Sequence, residues 1–160
     1  MEAATAPHQG SWTFAQWAVV IVSALQLLWA TAGLIAEPSI DFGSDAVTEK
    51  VLGVDFNGVH AISGFLLFLP AFYFATRPKW AVYYAVYVAI ALWVTGIWAM
   101  FDEQPAYVFT FPNNEADAWF HLATGTVYAL IALVQVTRDR GPLGEWSFQG
   151  SRDPSDDHST

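Results

Sequence analysis

From Trp12 to Ala36 the chain carries no charged side chain. A bilayer core about 30 Å thick is crossed by roughly 20 helical residues, so this run is long enough to span one. Three more apolar runs follow, at about 56–75, 80–101 and 116–137. The charged residues gather between them, whereas a soluble domain would spread charge over every helix. With 54% hydrophobic and only 13% charged residues, the chain reads as a membrane protein. The first run is too long for the apolar part of a signal peptide and lacks a basic start, so it is expected to stay as an anchor.

The boundaries follow from local chemistry. Residues 1–11 read as a flexible head with Pro7 and Gly10. Glu37-Pro38 ends the first span, because proline disfavours helix at the residue before it. The loop from Glu37 to Asp55 holds Glu37, Asp41, Asp45, Glu49 and Asp55 against Lys50. Pro70 is expected to kink the second span, which neighbours tolerate by binding the freed carbonyl. Thr76-Arg-Pro-Lys79 forms a basic turn before the third span, and residues 102–115 form a second acidic loop. The stretch 138–160 reads as a polar tail, largely disordered. Arg77, Lys79, Arg138 and Arg140 lie at one end of the spans, with only Lys50 opposite. The positive-inside rule then places both termini in the cytoplasm and the protein in the cytoplasmic membrane. Trp12, Trp80, Tyr107 and Trp119 fall near the expected membrane interfaces.

One motif occurs twice. His60 and His121 both begin the pattern His-x-x-Ser/Thr-Gly, ending at Gly64 and Gly125. The preceding segments echo each other as well: Trp17-Ala-Val and Leu28-Trp-Ala-Thr31 are answered by Trp80-Ala-Val and Leu92-Trp-Val-Thr95. The expected fold is all-α: a four-transmembrane-helix bundle made of two parallel helical-hairpin repeats, related by an axis along the membrane normal. Both histidines then lie toward the outer face.

The run Asn113-Asn-Glu-Ala-Asp117-Ala-Trp119-Phe-His121-Leu-Ala-Thr-Gly125 resembles the hallmark of an uncharacterised family of small four-helix membrane proteins from bacteria and archaea. That family is similar in carrying N-x-A-D-x-W-x-H-L-x-x-G before its last helix. It also carries H-N-x-x-H-x-x-x-G before its second. Asn57, His60 and Gly64 match the second motif, after the approach Val51-Leu-Gly53, while Phe56 stands where the family often has its first histidine. The resemblance covers most of residues 12–137. It implies the fold and the membrane location, and it implies no activity.

Asn57, His60 and Gly64 share one helical face, and Asp117, His121 and Gly125 another. Ser63 and Thr124 each fall three residues after a histidine, where a contact is within reach. A polar face toward lipid is costly, so these faces should point into the bundle. Three readings stay open. In the first, histidines and glycines set helix packing in a non-enzymatic structural or accessory subunit. In the second, His60 and His121 are metal or haem ligands of an electron-transfer protein, with Asp117 orienting the His121 ring. In the third, intramembrane ionisable groups mark a proton-coupled or solute transport path. Asp117 can equally serve the helix dipole or cap free N–H groups. Gln26 and Gln135 are expected as interhelical hydrogen-bond partners, and Gly33 and Gly96 as close crossings. A stripe of Tyr84, Tyr87 and Trp98 reads as packing surface, with a flat ligand such as a quinone or carotenoid as its alternative.

Several classes are excluded or disfavoured. The chain has no cysteine, so thiol catalysis, disulfides and iron–sulfur ligation are absent. A formal net charge of -9 opposes nucleic-acid binding and suits a salt-rich habitat. The acidic loops lack the order of a calcium loop. No nucleophile–base set, phosphate loop or zinc-protease signature is visible, so no enzyme is expected. The expected partners are the lipid bilayer and another membrane protein or a second copy of the chain.

Overall fold

The computed structural model describes residues 11–42, 46–101 and 114–139. The expected head at 1–10, most of the second acidic loop with Pro105 and Tyr107, and the tail from Arg140 onward lie outside them. The chain is mostly helical. Helix α1 covers Phe14–Ala36, α2 Gly58–Phe68, α3 Ala71–Phe74, α4 Pro78–Phe101 and α5 Glu115–Asp139. Strands β1 (Glu49–Val51) and β2 (Val54–Phe56) lie between α1 and α2.

Each boundary has a local cause. Thr13 opens α1 with a capping box: its hydroxyl accepts the Gln16 N–H, and the Gln16 side chain accepts the Thr13 N–H. Glu37, held extended before Pro38, closes it. Pro78 opens α4 at the first helical position, where its missing N–H costs nothing. Pro70 does more than kink the second apolar run: it breaks it into α2 and α3. The carbonyl of Leu67 beside the break accepts a 2.6 Å hydrogen bond from the Tyr84 hydroxyl on α4. A neighbouring helix thus supplies the partner that the interrupted ladder lacks.

The mostly helical fold carries one addition, a short β-hairpin. Its strands pair antiparallel, with Glu49 opposite Phe56 and Val51 opposite Val54. Leu52 and Gly53 form the turn, both at positive φ (54° and 88°), as a tight hairpin requires. Leucine is an unfavourable residue for that backbone, which hides the turn in a stretch dominated by acidic residues.

The interior mixes small and polar residues with larger ones such as Phe68, Leu92 and Tyr128, and the exterior is rich in large apolar side chains. Ala15, Ala30, Ala61, Ala71, Ala85, Ala89, Ala118 and Ala132 are buried, beside Gln16, Ser23, Thr124 and Gln135. Leu25, Leu28, Leu66, Ile90, Leu130 and Leu133 are exposed. Helix association in lipid gives this distribution, since small residues permit close backbones and apolar side chains lose nothing by facing hydrocarbon. Helices α1, α4 and α5 are each long and apolar enough to cross a membrane, while the apolar segment Gly58–Phe74 is shorter.

The ends of the bundle differ. Gln135 accepts the Ala15 N–H, and Gln16 donates to the Ala75 carbonyl, which gathers the start of α1, the α3–α4 turn and the finish of α5. Arg77, Lys79 and Arg138 sit there, over the rings of Trp80, Tyr83 and Phe14. The opposite end carries the hairpin, the acidic loop and the first turns of α2 and α5.

Candidate functional site

Two asparagines set up the site. Asn57 caps α2: its side-chain oxygen accepts the His60 N–H, and its amide donates to the Asp41 carbonyl. It is fully buried, and so it anchors loop to helix rather than sharing the functional face with His60. Asn114 treats α5 in the same manner, accepting the Asp117 N–H at 2.9 Å while donating to Gly53 of the hairpin. The capping task expected of Asp117 is therefore done by Asn114. The Asp117 carboxylate is free to turn inward, where it is 3% exposed.

That carboxylate lies between the two histidines. Asp117 Oδ1 is 3.3 Å from His121 Nε2 and 3.8 Å from His60 Nε2. The three atoms lie within 4.8 Å of one another. Helix α5 brings Asp117 and His121 onto one face by their four-residue spacing, and only the packing of α2 beside it adds His60. The His60 ring is fixed from behind. Its Nδ1 lies 3.1 Å from the Asp55 carbonyl, an acceptor, so Nδ1 carries the proton and the Nε2 lone pair faces Asp117. Phe56 stacks on the same ring at 4.2 Å and 10°.

A lone pair facing a carboxylate is an unfavourable contact unless a cation or a proton lies between them. Asp117 Oδ1 is buried with no hydrogen-bond partner among the described residues. Buried polar atoms are nearly always partnered, and a lone carboxylate oxygen is costly to leave unmatched. Two imidazole nitrogens and one carboxylate oxygen suit a divalent first-row transition ion. Ligand atoms about such an ion stand roughly 3–3.4 Å apart for bonds of about 2.0–2.2 Å. The His121–Asp117 separation already fits, whereas the His60 nitrogen, 3.8 Å from the Asp117 oxygen, stands beyond that range and must move inward to ligate.

Haem ligation between His60 and His121 is a poorer match. The rings lie near-parallel with centroids 6.0 Å apart, and the Asp117 oxygen approaches both ring nitrogens where a porphyrin plane would pass.

The centre opens on a cavity of about 210 Å³. Trp29, Phe56 and Phe120 form its aromatic wall, with the Trp29 and Phe120 rings 3.8 Å apart edge to face. Ser63 and Thr124 line it, although Ser63 donates to the Val59 carbonyl and Thr124 accepts from Gln26, the interhelical bond expected of that glutamine. The floor is apolar, at Phe68 and Leu92. One turn further along α5, Tyr128 is fully buried and bonded to Ser23 at 2.6 Å. The aromatic stripe on α4 does not form a binding face: Tyr84 is buried and engaged with Leu67, while Tyr87 and Trp98 are exposed. The aromatic wall comes instead from α1, β2 and α5, residues too far apart in sequence to signal one another.

Fold and site together are those of a mostly helical protein with three helices long and apolar enough to cross a membrane and a buried histidine–carboxylate cluster. The chain belongs to the family described as Domain of unknown function (DUF4383), whose model matches residues 16–134. No curated protein and no solved structure matches it.

Proposed function

We propose that this protein is an integral membrane protein that binds one divalent transition-metal ion through His60, Asp117 and His121. The observation that carries this is the buried, unpartnered Asp117 oxygen facing two imidazole nitrogens, one with its lone pair oriented by the Asp55 carbonyl. Packing alone explains the glycines and the Gln26–Thr124 bond, but it leaves that oxygen unmatched.

In this reading the four apolar segments all cross the bilayer, the shorter second one included, as two parallel hairpins. An asparagine caps the helix that carries each histidine, three residues before His60 and seven before His121. Basic residues at one end and acidic loops at the other support cytoplasmic termini, with the centre near the outer face.

The test is metal analysis of the protein purified in detergent, stripped with chelator and titrated with Co²⁺. The expected result is about one ion per chain, lost in His60→Ala, His121→Ala and Asp117→Asn. Binding should weaken as pH falls through the range where imidazole takes up a proton, because a protonated ring cannot ligate. Substoichiometric cobalt in wild type, or cobalt retained in a variant that combines His60→Ala, His121→Ala and Asp117→Asn, would refute the proposal.

A further inference from the structure

We infer that the metal centre is one end of a binding site for a small phenolic ring, taken up in the adjoining cavity with its oxygen on the ion. The inference rests on the metal reading above and adds the class of ligand.

Three protein ligands leave a transition ion with at least one further position. The charge of the site selects what belongs there. A divalent ion with the Asp117 carboxylate and two neutral imidazoles carries net charge +1, and Asp117 is the sole acid among the cavity-lining residues. Buried net charge is expensive, so the position favours an anionic oxygen donor. Hydroxide would meet that demand alone, but it would leave the rest of the cavity to water against aromatic walls.

The cavity selects the body of the ligand. An apolar cavity of about 150 Å³ takes up benzene. At about 210 Å³, this one has room for a benzene ring with one or two small substituents. Trp29, Phe56 and Phe120 offer ring faces and edges, against which another aromatic ring packs favourably. A second orphan points the same way: Trp29 Nε1 is buried and has no hydrogen-bond partner among the described residues. Its N–H is a donor without an acceptor, in a wall of the cavity that also holds the acceptor-only Asp117 oxygen. A phenolate meets the charge of the ion through its oxygen, and that oxygen is an acceptor of the kind the indole N–H lacks. Binding is an acid–base exchange: the phenol O–H bond breaks, oxygen joins the ion in place of water, and the proton passes to solvent.

The experiment uses the full chain in detergent micelles, loaded with Co²⁺ and titrated with 4-methylphenol while the visible bands of the cobalt are followed. Expected are a saturable band shift at one phenol per cobalt and release of one proton, measured in weak buffer. Cyclohexanol, similar in size but without an acidic hydroxyl, should leave the bands in place. Ser63→Phe, which fills the cavity from α2, should keep the cobalt spectrum and weaken phenol binding by roughly tenfold or more. Trp29→Phe, which keeps a ring and removes the donor, should weaken it by up to about tenfold. Cobalt bound normally with bands unmoved by methylphenol, or moved equally by cyclohexanol, overturns this inference alone. Failure of wild-type protein to bind cobalt overturns the metal reading beneath it.

Discussion

Asp117 is the residue on which the interior of this protein turns. Its neighbour Asn114 takes over helix capping, and the carboxylate is left buried, unpartnered and close to two imidazoles. Such a group destabilises the metal-free protein and stabilises the loaded one. Asp117→Asn should therefore raise the stability of stripped protein in detergent by about 1–3 kcal/mol, since Oδ1 has no hydrogen-bond donor and its charge is balanced only where a facing imidazole is protonated. The same variant should gain nothing from cobalt, while wild type at a hundredfold excess over Kd gains about 2.7 kcal/mol. Thermal melts with and without cobalt read both signs, and a stripped Asn variant less stable than wild type would show that the carboxylate is already satisfied. His121 and Asp117 were legible in the sequence as a pair, because four residues is one helical turn. The pinning of His60 by Asp55 was not, since it depends on a hairpin that acidic residues and an ill-suited turn leucine conceal.

At the scale of elements, two of the glycine contacts differ in kind. A Cβ on Gly125 would stand 2.8 Å from the Trp93 ring and 3.1 Å from the Ala89 carbonyl, so α5 approaches the backbone of α4. A Cβ on Gly64 would meet only the Ala30 methyl, at 3.2 Å. Gly125→Leu should destabilise by about 1–3 kcal/mol through overpacking that moves backbone. Gly64→Ala should fall within about 1 kcal/mol of wild type, as the gain in helix propensity offsets a small shift of one methyl. Alanine at both positions makes the comparison direct, and equal melting losses for Gly125→Ala and Gly64→Ala would mean that both crossings are equally tight. The glycines were visible from the repeated motif, but equal spacing concealed unequal surroundings: one glycine faces a carbonyl and an indole, the other an alanine. Pro70 was visible too, and its consequence was larger than a kink, because Tyr84 is placed to satisfy the carbonyl at a full break.

For the whole molecule, the polarity of its two ends sets a testable orientation. The chain has no cysteine, so single introduced thiols report cleanly. Cysteine at Leu52, 86% exposed on the hairpin, should react with a membrane-impermeant maleimide in intact cells. Cysteine at Thr76, in the turn beside Arg77, should react only after lysis. The reverse pattern would invert the proposed orientation. Charge segregation, four apolar runs and the recurrence of His-x-x-Ser/Thr-Gly are properties of order along the chain, and they determined by themselves the membrane class, the helices and the inward-facing polar faces. The tertiary structure decided which polar groups meet. It placed His60 of α2 against Asp117 of α5, assembled an aromatic wall from α1, β2 and α5, and left Asp117 Oδ1 and Trp29 Nε1 buried without hydrogen-bond partners among the described residues. Those outcomes depend on distances between segments far apart in sequence, and periodicity within a helix specifies a face without specifying what packs against it.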